Sequence, residues 1–196
     1  TFEFGNVPLD TVRHLAAHGL VRPGVRSLEV AQDRLREKRF ARDCGIPVAP
    51  FAEVRRAEDL PAALPEVGGR AILKTATDGY DGKGQARIAT AADAPAAWAA
   101  IGERRAIAEA MVDFEGEFSV LVARGADGET ALWECPENVH EDGILARTTL
   151  PAGSVVGRHC AAAVDHAMQI AEALDHVGVL ACEFFATPEG PLFNEM

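Results

Sequence analysis

Lysine is scarce in this 196-residue chain, and so is any excess of positive charge. Lys38, Lys74 and Lys83 are the only lysines, and the formal net charge is −11. A nucleic-acid binder needs a basic face to release counterions from phosphates, so the charge argues against that class. A nucleotide site is not excluded, because one phosphate chain needs only a few local cations. The four cysteines, Cys44, Cys135, Cys160 and Cys182, lack CxxC or CxxxxC spacing. That pattern argues against a zinc site or a disulfide framework and for reduced thiols in a cytosol. No apolar run approaches the length of a membrane span, and no leader opens the chain, so a soluble cytoplasmic protein with no membrane partner is expected.

What is present is core-forming material. Hydrophobic residues make up 48% and charged residues 25%, enough for a packed interior. Both ends, TFEF and PLFNEM, read as strands, and the expectation is that each was cut from something longer. Residues 1–30 read as strand, helix after Pro8, then an extended piece, the closing unit of an α/β domain. VAQDRLREKRFARDC reads as one amphipathic helix stopped by Gly45. Downstream come a short strand in GIPVAPFAEV, a small helix near 57–64, a hairpin made by RAILKTAT and ARIA, a helix in DAPAAWAAIG and a strand in AIAEAMV. GEFSVLVARG, TALWECPENV and ILARTTLPA alternate like antiparallel strands with one buried face. Residues 155–176 read as a long helix, and GVLACEFFAT and GPLFNEM as a hairpin joined by PEG. The predicted class is α+β, with a small lid subdomain over about 50–110 beside a larger sheet over 111–196.

The hairpin tip TDGYDGKGQ places Gly79, Gly82 and Gly84 around Lys83. Glycines let consecutive backbone N–H groups converge on an anion, and a lysine adds a point charge. A solvated hairpin loop would look similar. Lys74, set in the apolar strand AILK, tips the balance, because a lysine there needs something anionic to meet it. Glu183 and Glu195 are carboxylates inside two apolar strands joined by a tight turn. With Asn194 beside them, they form an oxygen-only set suited to Mg²⁺ bridging phosphates. A pair of solvated edge carboxylates remains the bland alternative. The connector Glu109, Ala110, Met111 and Val112, followed by Glu117, could supply donors and acceptors to an adenine edge and an acid to ribose hydroxyls.

In this order the segments DRLREK, GIPVAPF, ILKTATDGYDGKGQ, FEGEFSVLVAR, ENVHEDGIL, TTLPA, VGVLACEFF and LFNEM resemble the ATP-grasp superfamily. Within it they are similar to the N5-carboxyaminoimidazole ribonucleotide synthase family of purine biosynthesis. The resemblance implies an ATP-grasp fold, lid plus larger antiparallel-sheet subdomain over 31–196, preceded at 1–30 by the end of a Rossmann-like domain, usually in a homodimer. It implies ATP contacts at Arg34, Lys74, the loop Gly79, Tyr80, Asp81, Gly82, Lys83, Gly84 and Gln85, the hinge Glu109 to Val112, Glu117, His140, Asn194 and Glu195. It puts Mg²⁺ on Glu183 and Glu195, and 5-aminoimidazole ribonucleotide near Tyr80 and Asp81. The implied reaction phosphorylates bicarbonate with ATP and passes the carboxyl group to the ribonucleotide amine, with Lys74 and Lys83 stabilising charge and loop closure excluding water. Another ATP-grasp carboxylate–amine ligase, or an ATP-binding module without catalysis, are the competing readings.

Overall fold

The computed structural model describes residues 1–2, 5–79, 84–141 and 143–196. They group into two compact units. One is Ala49–Asp113 together with Glu141–Ile144; the other is Thr1–Val48, Phe114–His140 and Leu145–Met196.

The smaller unit is built on a four-stranded antiparallel sheet of β1 (Phe51–Val54), β2 (Ala71–Thr75), β3 (Gln85–Ile88) and β4 (Ala106–Ala110), ordered β1-β4-β2-β3. AILKT alternates buried and half-buried positions, as a strand with one covered face must. That face is covered by α4 (Leu60–Glu66) and α5 (Ala94–Ala100), whose buried residues recur at helical spacing: Leu60, Ala63 and Leu64, then Ala94, Ala97 and Trp98. Both helices are entered in the same way, through a single 3-10 turn and then proline in the first helical turn. The Asp59 and Asp93 carboxylates accept the backbone N–H groups that precede those turns.

In the larger unit, α1 (Leu9–His18), α2 (Val25–Ala31) and α3 (Arg34–Asp43) precede the sheet. The sheet comprises β5 (Gly116–Arg124), β6 (Thr130–Leu132), β7 (Glu137–Glu141), β8 (Ile144–Thr149), β9 (Gly178–Thr187) and β10 (Gly190–Glu195). Its order is β10-β9-β5-β7-β8, with β6 pairing the far half of β5. The helices α6 (Ser154–Gly157) and α7 (Cys160–Ala173) complete the unit. Phe118, Val120 and Val122 of β5 and Leu180, Cys182 and Phe184 of β9 point to one face, where Ala163, Ala167, Ile170 and Ala171 of α7 close the core. Alternation therefore sends Glu117 and Ser119 of β5 and Glu183 of β9 to the opposite face.

Several expectations need correction. The piece expected to be extended after α1 contains the helix α2, and the single helix expected to end at Gly45 is two. Asp33 divides them: its carboxylate accepts from Leu35 N–H at 3.0 Å and Arg36 N–H at 3.2 Å, capping α3. Gly45 does end α3, with a φ of 80° that favours glycine. TALWECPENV is two strands rather than one, because Pro136 lacks an N–H and only its carbonyl serves β5, accepting from Ser119 N–H at 3.1 Å. The long helix is interrupted after Gly157, the poorest helix former in that stretch. Thr1 and Phe2 are not in a strand, and residues 3 and 4 of TFEF lie outside the described residues.

Candidate active site

Each unit carries its own set of predicted residues. In the smaller unit, Lys74 and Glu109 lie diagonally across the β2–β4 ladder, where Lys74 faces Ile107 and Glu109 faces Ile72. Lys74 Nζ and Glu109 Oε2 are 2.6 Å apart, with side-chain exposures of 17% and 5%. The anion that makes a lysine tolerable in AILKT is thus, in this state, a carboxylate of the protein itself. On its other side Lys74 is paired with Gln85 at the base of the hairpin.

Gly84 closes that base. Its carbonyl accepts from Thr75 N–H at 2.8 Å, its φ is +72°, and a Cβ there would lie 2.8 Å from Thr75 Oγ1. Only glycine fits. Gly79 is half-buried on the preceding arm, and the expected Tyr80, Asp81, Gly82 and Lys83 lie outside the described residues. Of the connector, Ala110 N–H donates to Pro50 C=O at 2.8 Å and Met111 N–H to Arg70 C=O at 3.2 Å. Those two amides are engaged by the unit's own backbone, so neither is offered to a ligand as a donor in this state. Glu109 is buried, and Met111 and Val112 are half-buried.

In the larger unit the predicted carboxylates converge. Glu183 of β9 and Glu195 of β10 are register partners on adjacent strands, where a shift after Phe193 interrupts the regular ladder. Glu183 is also the register partner of Ser119, and Glu117 that of Asn138 on β7. His140, two residues along β7 from Asn138, stands between two acids. Its Nδ1 makes a short contact with Glu117 Oε2, and its Nε2 lies 4.0 Å from Glu183 Oε1. Asn138 is held from behind: it donates to Ser119 Oγ at 2.7 Å and accepts from Thr148 Oγ1 at 3.1 Å. Burial and the neighbouring Glu195 charge raise the Glu183 carboxyl above its ordinary pKa, against the opposing pull of His140 and an Asn194 hydrogen bond. Glu117, His140, Glu183, Asn194 and Glu195 are therefore brought together.

The implied magnesium can be tested against this set. Among the described residues, no group of three or more His, Cys, Asp or Glu side chains is arranged to hold a metal ion by itself. Two adjacent carboxylates, with the charge of Glu195 opposing ionisation of Glu183, nevertheless fit Mg²⁺, which ordinarily takes one or two protein carboxylates and completes its shell with phosphate and water oxygens.

Sequence reasoning missed the support beneath these carboxylates. Arg34, expected to touch ATP, opens α3, and its neighbours Glu37 and Lys38 are each 2% exposed. Glu37 Oε1 accepts from Met196 N–H at 2.8 Å, and Lys38 Nζ donates to Phe193 C=O at 3.3 Å. Desolvation and the Glu195 charge push the Glu37 carboxyl up to about 8, while the Met196 hydrogen bond, Lys38 and Arg34 oppose the shift. The signal was available: REK puts a carboxylate and one of three lysines on a helix with few apolar residues to bury.

With the fold and site in hand, comparison with known proteins gives a class. The ATP-grasp domain family model matches residues 39–196, and the chain belongs to that family. Its α+β architecture with two antiparallel sheets is the ATP-grasp fold. Within the family the chain is similar to N5-carboxyaminoimidazole ribonucleotide synthases. That of Brucella melitensis is 46% identical over 194 residues, which are 98% of this chain and 53% of the relative. The solved structure of the synthetase from Thermus thermophilus has a TM-score of 0.90 at 43% identity, covering 99% of this chain and 52% of that one. The Aspergillus clavatus synthase in complex with ADP and 5-aminoimidazole ribonucleotide has a TM-score of 0.90 at 25% identity, covering 98% and 50%. The chain thus spans about half the length of the curated relatives it matches.

Proposed function

We propose that the protein catalyses the ATP-dependent carboxylation of 5-aminoimidazole ribonucleotide with bicarbonate, giving N5-carboxyaminoimidazole ribonucleotide, ADP and phosphate. The observation that carries this reading is the Glu183–Glu195 register pair beside Glu117 and His140, in a chain similar to synthases of that name. A bicarbonate oxygen attacks the γ-phosphorus of ATP, ADP leaves, and carboxyphosphate forms. The exocyclic amine of the ribonucleotide then attacks the carboxyl carbon, the C–O bond to phosphate breaks, and the amine proton is lost.

The chain's own residues supply binding, orientation and charge. Lys74 binds a phosphate oxygen, exchanging Glu109 for the nucleotide, and Lys83 with the amides of the loop from Gly79 to Gln85 binds the same phosphates. Glu109, Val112 and Glu117 hold adenosine, Arg34, His140 and Asn194 orient the phosphate chain, and Tyr80 with Asp81 meets the ribonucleotide. Glu183 and Glu195 would hold Mg²⁺, which would neutralise charge on the phosphates. Residues 1–30 belong to a Rossmann-like domain and 31–196 to the ATP-grasp domain, and the enzyme works as a cytoplasmic homodimer.

The test is ADP release by the full-length protein with bicarbonate and the ribonucleotide each present or omitted. ADP formation should require bicarbonate and accelerate with the ribonucleotide. An equal rate with formate or another carboxylate in place of bicarbonate would instead make it a different carboxylate–amine ligase. Within the site, Lys74→Ala should weaken ATP binding, whereas Asp81→Ala should leave ATP affinity nearly intact and reduce ribonucleotide-dependent turnover.

A further inference from the structure

We propose that Glu37, seconded by Lys38, is a positioning residue that sets the Asn194–Glu195 end of β10 for metal and phosphate binding. The inference rests on the reading of Glu183 and Glu195 given above.

Glu195 is the last strand residue of β10, and it sits just past the register shift after Phe193. The ladder skips Asn194 and resumes only at Glu195 opposite Glu183, so the backbone around the shift depends on further anchors. Two successive side chains of α3 provide them from either side. Lys38 takes the carbonyl before Asn194–Glu195, at Phe193, and its ammonium lies 5.7 Å from the centroid of the Phe193 ring. Glu37 takes the amide after the pair, at Met196. Both anchors are 2% exposed, so water does not compete with either contact. Phe193 N–H is in turn fixed by Pro47 C=O at 2.9 Å, and Val48 bridges Phe193 in parallel.

Burying an acid against Glu195 is an expensive way to stabilise a fold. An apolar pair would pack the same space without desolvating two ionisable groups. A carboxylate ligand, by contrast, must present its oxygens within a fraction of an ångström, and outer partners that orient ligands commonly control metal affinity. Glu37 does not touch the reacting atoms in this assignment. It acts through Met196 and Glu195.

The test uses the full-length protein with Mn²⁺ as the probe, free Mn²⁺ being read by electron paramagnetic resonance in the presence of ADP. Glu37→Ala should weaken Mn²⁺–ADP binding by roughly 10–100-fold, the range seen when outer ligand-orienting groups are lost. Glu37→Gln keeps an oxygen acceptor for Met196 N–H and should stay within about threefold of wild type, since a hydrogen bond to a neutral acceptor retains most of the geometry. Should Glu37→Ala not fold, Lys38→Met preserves the aliphatic stem and should still loosen Mn²⁺ binding several-fold. Wild-type Mn²⁺ affinity in Glu37→Ala or Lys38→Met, or equal loss in Glu37→Ala and Glu37→Gln, overturns the proposal. Glu183→Ala separates this from the reading beneath it. If that variant binds Mn²⁺–ADP normally, the metal assignment itself is wrong, whatever Glu37 does.

Discussion

Glu109 is buried and Lys74 half-buried against it, so removing Lys74 takes away the ammonium that lies 2.6 Å from a buried carboxylate. Lys74→Ala should therefore destabilise the fold by roughly 3 kcal/mol, the lower end for a broken buried pair because Lys74 keeps some exposure. Lys74→Met combined with Glu109→Leu should recover most of that loss while still lacking ATP binding. Urea titration with nucleotide titration on each variant checks both halves, and equal instability of single and double variants would contradict the pairing.

Glu37 gives a pH dependence. Its carboxyl, at an ordinary 4.5 in the unfolded chain, is pushed to about 8 in the fold by burial and the Glu195 charge. Between those values the folded protein binds the extra proton, so this group's contribution to stability is complete below pH 4.5 and is lost as pH rises toward 8. The metal-free protein should lose denaturation midpoint across that interval, and Glu37→Gln should flatten the loss. Identical slopes in the two proteins would refute it. At this scale the sequence revealed which residues carry charge in apolar strands, Lys74, Glu183 and Glu195. It did not reveal that Lys74 would meet Glu109, because a cross-strand diagonal depends on register, which residue spacing along one strand cannot supply.

Single elements carry the site through a few backbone devices. The Asp33 cap fixes where α3 begins and thus which way Arg34, Glu37 and Lys38 project. Asp33→Ala should cost about 1 kcal/mol. Thermal denaturation checks it, and no loss would mean the cap is redundant. Gly84→Ala should be worse, about 2 kcal/mol or more, since it combines positive φ with a Cβ against Thr75. Calorimetry of the variant decides it: an unchanged melting temperature would show that the hairpin base has room to give. Hairpins and amphipathic helices were legible because period-two and i, i+3, i+4 patterns are local. The break between α2 and α3 was not read, because Asp33 in a charged run looks like one more helical surface residue. The break between β6 and β7 was marked by Pro136, and the alternation around it masked that signal.

At the scale of the molecule, the ATP-grasp architecture was legible because each motif sits at the end of a recognisable strand or turn. The short turn joining β9 and β10 made it legible that Glu183 and Glu195 could share a face. The turn's own register would set Glu183 opposite Asn194, and the shift after Phe193 that brings Glu195 opposite Glu183 was not legible. Support from α3 was invisible because Glu37 and Met196 are separated by most of the chain. No helix among the described residues is long and apolar enough to cross a membrane. The central claim is that ATP activates bicarbonate before the amine is carboxylated. It is tested most directly by turning over the full-length protein with ¹⁸O-labelled bicarbonate, ATP and 5-aminoimidazole ribonucleotide, then measuring label in the released phosphate by mass spectrometry. Passage through carboxyphosphate predicts that each phosphate carries one bicarbonate oxygen. Unlabelled phosphate, released as fast without bicarbonate as with it, would contradict the account.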